Sequence, residues 1–94
     1  MRIQMEFLGV SRLVIGERTL SLDVEDGMTF RELVRLLGER YPGLIGDVIE
    51  PDGESLQAPN VFNLNARQMI QDDQMDAAPG DGDRIILMSM AAGG

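Results

Sequence analysis

The side chains that most often carry covalent chemistry are missing from this sequence, which has no cysteine, no histidine and no lysine. Thiolate nucleophiles, imidazole bases and zinc held by cysteine or histidine are thereby removed, and chemistry is left to carboxyl groups. Most of these are side chains in turns. Asp72, Asp73, Asp76, Asp81 and Asp83 crowd one stretch of chain but lack the ordered ligand spacing and closing glutamate of a calcium loop, so no metal site is expected. Glu50, Asp52 and Glu54 bracket a turn with no sign of an enclosing pocket, and no glycine sits in a phosphate-cradling loop followed by lysine, so the chain is expected to bind no nucleotide itself. One carboxyl group differs. Gly94 closes the sequence after Gly93, and an α-carboxyl with a pKa of about 3.5 is ionised at neutral pH and can attack the α-phosphate of ATP to give an acyl adenylate. Residues without β-carbons can thread a narrow channel in a partner, so bulk at Gly93 should block entry.

That carboxylate needs a body to present it. Met1, Ile3, Met5 and Phe7 alternate with polar residues, the period of a strand with one buried face. Gly9 to Arg12 has turn composition, and Leu20, Leu22 and Val24 form a second alternating run that can pair with the first as a hairpin. Thr29 stands three residues before Glu32, a capping-box spacing, and Phe30, Leu33, Val34, Leu37 and Tyr41 then recur at helical spacing until Pro42-Gly43. Residues 44–60 are irregular and read as loop with at most short structured pieces. Residues 61–65 read as a short strand, Ala66-Arg67 as a turn and Met69-Ile70 as a return strand. Residues 84–90 are the most strongly β-like run, apolar on both faces and therefore expected to be central. The order gives an α+β fold, a mixed sheet with one main helix packed on one face.

At 94 residues the chain is the size of one small domain, taken as residues 1–90 with a flexible C-terminal tail at 91–94. The formal charge of −8 repels phosphate backbones and anionic membranes, and favours a basic protein surface as partner. No nucleic acid and no membrane are therefore expected as partners. No apolar run approaches the roughly 20 residues needed to span a bilayer, and the N-terminus lacks the pattern of a signal peptide, so the expected location is cytoplasmic. All eight basic residues are arginine, so a chain that is conjugated to lysines could not build lysine-linked chains on itself.

Residues 81–94, in which Asp81-Gly82-Asp83 leads into an apolar strand and the chain stops at Gly93-Gly94, resemble the ending of the β-grasp sulfur carriers and their ubiquitin-like relatives. The small subunit of molybdopterin synthase and the thiazole-forming carrier of thiamine synthesis are the nearest likenesses. Leu64-Asn65-Ala66-Arg67 resembles the family's asparagine-glycine turn, with Ala66 in place of glycine. The resemblance implies a carrier protein and not an enzyme. It binds no cofactor, an adenylating partner uses ATP on Gly94, and sulfur then replaces the adenylate to leave a thiocarboxylate. A larger catalytic subunit, such as that of molybdopterin synthase, would take the sulfur for the molybdenum cofactor. The alternatives are a ubiquitin-like modifier joined through Gly94 to lysines of target proteins, a thiazole-type carrier, and a noncovalent adaptor that keeps its function without the glycines. By the same analogy Ile85 and Leu87 face the helix. Ile86, Met88 and Met90 then form a methionine-rich strip that, with Ala91 and Ala92, would meet the partner, unless residues 44–60 cover it as ordinary core.

Overall fold

The computed structural model describes residues 1–90. Five strands make one mixed sheet: β1 (Arg2–Phe7), β2 (Thr19–Asp23), β3 (Asn60–Leu64), β4 (Gln68–Met69) and β5 (Arg84–Ser89), ordered β2-β1-β5-β3-β4. β5 is central, as its two-sided apolar pattern implies. It runs parallel to β1, with Phe7 opposite Leu87, and antiparallel to β3, with Phe62 opposite Leu87. The alternation in β1 puts Ile3, Met5 and Phe7 into the core, where Ile85, Leu87 and Phe62 meet them.

The long helix α2 (Phe30–Arg40) packs on that buried face. Its start is the expected capping box: the Glu32 amide donates to Thr29 Oγ1 at 3.1 Å and the Thr29 amide donates to Glu32 Oε1 at 3.3 Å. Two orphan amides of the first turn are satisfied in this way, which contributes about 1 kcal/mol. Phe30, Leu33, Val34 and Leu37 are all buried, each removing about 1.5–3 kcal/mol worth of apolar surface from water. The Phe30 and Phe62 rings meet with centroids 6.0 Å apart.

Three local expectations change. Gly9 to Arg12 is not a plain turn, because α1 (Val10–Ile15) intervenes between β1 and β2. Gly9 and Gly16, at φ of 72° and 81°, open and close this short helix, and the Gly16 amide donates to the Arg12 carbonyl at 2.8 Å. Residues 44–60 are the expected loop with short structured pieces, but they also supply core, since Leu44, Val48 and Ile49 are fully buried. A 3₁₀ turn at Pro42–Leu44 and bridges from Ile49 to Ile45 and Leu56 satisfy backbone groups there without a regular element. These residues join the cluster under α2, so they thicken the helix side of the sheet and leave the opposite face of β5 uncovered by them. The β3–β4 hairpin turns on Asn65 and Ala66, both left-handed at φ of 56° and 59°.

Candidate functional site

The two ends of β5 are built from different chemistry. At its start, Asp83 Oδ2 accepts from the Gly80 amide at 2.7 Å and Oδ1 accepts from Asn65 Nδ2 at 3.0 Å, while Asn65 Oδ1 accepts from the Arg84 amide at 2.8 Å. The amide of Asn65, and then the Gly80 backbone, hold the Asp83 carboxyl below its ordinary value. Asp81 accepts from the Arg2 amide at 2.7 Å, and the Arg2 guanidinium grips Asp23 with two bonds of 3.0 and 2.9 Å. The Met1 ammonium donates to the Val24 carbonyl at 2.7 Å and pairs with Asp26 at 2.9 Å. Its hydrogen bond to Asp26 raises the amine's pKa and lowers that of Asp26. The Asp81-Gly82-Asp83 signature thus works as a clasp for the first turn into β5. Farther along, Asp76 pairs with Arg31 at 2.9 Å. Among the described residues no three potential ligands converge to hold a metal ion.

At the other end of β5, backbone groups and apolar side chains take over. The Leu8 amide donates to the Leu87 carbonyl at 3.0 Å, and the Met90 amide donates to the Pro59 carbonyl at 2.9 Å, so β1 and the approach to β3 guide the chain to its last described residue. Ile85 and Leu87 lie under α2. On the opposite face, Ile86 stands between Glu6 and Asn63 in register and is only 7% exposed, whereas Met88 is half-buried and Met90 is 57% exposed. Of the expected strip, Met88 and Met90 are the more accessible, and Ile86 is largely covered by its neighbours. Asn63 is buried beside it and donates to Met69 Sδ at 3.4 Å. Ala91, Ala92, Gly93 and Gly94 lie outside the described residues.

What the sequence pattern missed is α1. Parallel pairing brings its start to the same end of the sheet as Met90, and it turns its small polar residue inward: Ser11 is buried and its hydroxyl donates to the Leu8 carbonyl at 3.1 Å. Val10, Leu13 and Val14 face out. The signal was present in the pair Gly9 and Gly16, which bracket the six residues as helix ends do.

A mixed sheet with β1 and β5 parallel at its centre and one long helix across one face defines a ubiquitin-like β-grasp protein. The chain is 34% identical to small archaeal modifier protein 3 of Haloferax volcanii over 94 residues, the whole of both chains. It superposes on the crystal structure of SAMP1 from the same organism with a TM-score of 0.80 and 23% identity, covering 100% of each chain. It also matches a chain of the complex between subunits 1 and 2 of molybdopterin-converting factor from Helicobacter pylori, with a TM-score of 0.62, 21% identity and full coverage of both. No family model matches the sequence. The chain belongs to the family of small archaeal modifier proteins. It is a small carrier or modifier protein of the ubiquitin-like kind, a donor in the chemistry of others and not a catalyst, and the family implies an activating partner enzyme. No helix among the described residues is long and apolar enough to cross a membrane.

Proposed function

We propose that this chain is a protein modifier, joined through the Gly94 carboxyl to lysine amines of target proteins. A Gly94 carboxylate oxygen attacks the α-phosphorus of ATP on the activating enzyme, pyrophosphate leaves, and an acyl adenylate forms. A target amine then attacks the acyl carbon, AMP leaves, the nitrogen loses a proton, and an isopeptide bond remains. Residues 1–90 serve as the handle and residues 91–94 as the strip that enters the partner, with Gly93 admitting close backbone approach. Met88 and Met90, followed in sequence by Ala91 and Ala92, form the contact along that strip, to which Ile86 adds little because it is largely covered. On this reading the domain binds no cofactor of its own and works in the cytoplasm, where its activating enzyme uses ATP. The observation that carries this reading is full-length similarity to a protein named as a modifier, combined with a chain that leaves its central strand toward Gly93-Gly94.

The second reading keeps the adenylate and changes the nucleophile. A sulfide-level nucleophile from a sulfur donor attacks the acyl carbon, AMP leaves, Gly94 becomes a thiocarboxylate, and a larger subunit receives sulfur for molybdopterin, or a thiazole synthase does. The likeness to a molybdopterin-converting factor chain supports a shared fold and leaves the acceptor open. Trypsin cleaves after Arg84, so a conjugated lysine should carry residues 85–94 as a branch, readable by mass spectrometry of cellular proteins. Finding such branches supports modification. Finding none, while the free chain gains the oxygen-to-sulfur mass change in the presence of its activating enzyme and a sulfur donor, would overturn it in favour of sulfur transfer.

A further inference from the structure

We infer that the outward face of α1 is a docking surface for the enzyme that encloses the C-terminal residues; this rests on the role given to Gly94 above. The helix is inverted with respect to its own domain. Ser11 is 1% exposed while Leu13 is 83%, Val10 48% and Val14 37% exposed, so Leu13 gains little from folding and the two valines only part of what full burial would give. They are nonetheless held in place. α1 packs on the Pro42–Leu44 turn so closely that a β-carbon on Gly43 would stand 3.0 Å from Val14 Cγ1. In a chain of net charge −8, apolar side chains clustered on one rigid surface element mark a contact site.

The occupant follows from chain length. Four residues separate Met90 from the Gly94 carboxyl, and four residues fully extended reach about 14 Å at most. A pocket that adenylates Gly94 therefore opens within that distance of Met90, and the protein around its mouth must rest on the surface flanking the end of β5. The parallel pairing of β1 with β5 puts Leu8 beside that end and starts α1 two residues later. The partner surface is accordingly an apolar ledge at the mouth of an ATP-using site.

The test uses the full chain, its purified adenylating enzyme and ATP–pyrophosphate exchange. Leu13→Glu alters a side chain that is almost wholly in solvent, so the melting temperature should stay within about 2 °C of the unchanged chain. The KM for the carrier should rise about tenfold or more, with kcat changed less than about twofold, the pattern expected when uniform binding is removed. Arg67→Glu, in the distant β3–β4 turn, should leave both constants unchanged. An unchanged KM for Leu13→Glu, with the original chain fully active, would overturn the α1 surface and leave the role of Gly94 standing. No exchange with the original chain would overturn both.

Discussion

The start of β5 and its end, about 17–20 Å apart along a six-residue strand, divide the labour of this small protein. At the start, charged groups are used up within the molecule: Asp83 holds Gly80 and Asn65, Asp81 holds the Arg2 amide, and Asp26 holds the Met1 ammonium. At the end, β5 is held by backbone bonds, the Leu8 amide to Leu87 and the Met90 amide to Pro59, and the side chains most exposed around it include the apolar Leu13, Val10 and Met90. Acidic residues that in sequence count only toward a net charge favouring a basic partner are thus in good part fastenings. Two of them, Asp81 and Asp83, lie farther from Met90 than the roughly 8 Å over which physiological salt lets exposed charges act. The difference teaches that stability and function can be separated along one strand, and variants at the two ends should dissociate them.

The largest effect is expected beyond the apolar end. Removing Gly93 and Gly94 takes away the group to be activated, so adenylation and conjugation should be lost entirely. Circular dichroism and the melting temperature should not change, because the core is complete by Leu87. A truncated chain that still modified targets would refute the role of the terminus. Retained function without any covalent product would instead identify a noncovalent adaptor. Leu13→Glu comes next, with its tenfold effect on KM alone.

The opposite pattern is expected at the start of β5. Asp83→Ala removes two hydrogen bonds to a carboxylate and leaves Asn65 Nδ2 and the Gly80 amide to water, which should cost about 1–2 kcal/mol and lower the melting temperature by several degrees. Adenylation measured well below that temperature should be unaffected; a rise in KM would dissolve the division between the two ends. Acid probes the same region. Asp23, Asp26 and Asp83 all titrate below their ordinary value of 3.8 in the folded chain, so their contribution is full above that pH and is lost as pH falls through the lowered folded values. The Met1 ammonium acts in the reverse sense: raised above 8.0, it stabilises below pH 8 and ceases to do so as pH climbs through its folded value. Melting temperature should therefore be level from about pH 5 to 7 and fall below about pH 4 and above about pH 8. Neutralising Asp83 should blunt the acid limb.

Much of this architecture was legible because residue period and burial agree. β1 alternates strictly, α2 carries both its capping box and its stripe, and β5 is apolar on both faces as a central strand is. Apart from its bracketing glycines, α1 gave no periodic signal, for the reason that makes it interesting. A helix that buries serine and exposes leucine contradicts the pattern by which helices are found, and six residues are too few to establish a period. Residues 44–60 escaped for another reason. Leu44, Val48 and Ile49 are buried one at a time by an irregular path, and no repeat marks them. At the candidate site, the types of Gly93 and Gly94 could be read from sequence, while the surface flanking the last described residue required the parallel register of β1 and β5.

The smallest expected effect concerns a position belonging to neither end's function. Asn65 and Ala66 occupy the centre of the β3–β4 turn with positive φ, a conformation that matches the twist of the hairpin and costs an alanine about 1–2 kcal/mol through the clash of its β-carbon. Asn65 repays its own strain by bonding both Asp83 and the Arg84 amide. Ala66 makes no such bond, being a methyl group exposed at the turn. Ala66→Gly removes the clash and adds back freedom in the unfolded chain, so the net gain should be about 0.5–1 kcal/mol, seen as a rise of a few degrees in melting temperature. Because that turn adjoins the Asp83 clasp, Ala66→Gly should also partly offset Asp83→Ala in stability, with no change in adenylation. Equal stability of Ala66→Gly and the original chain would mean that the turn relaxes around alanine in solution, loosening the tie between Asn65 and β5.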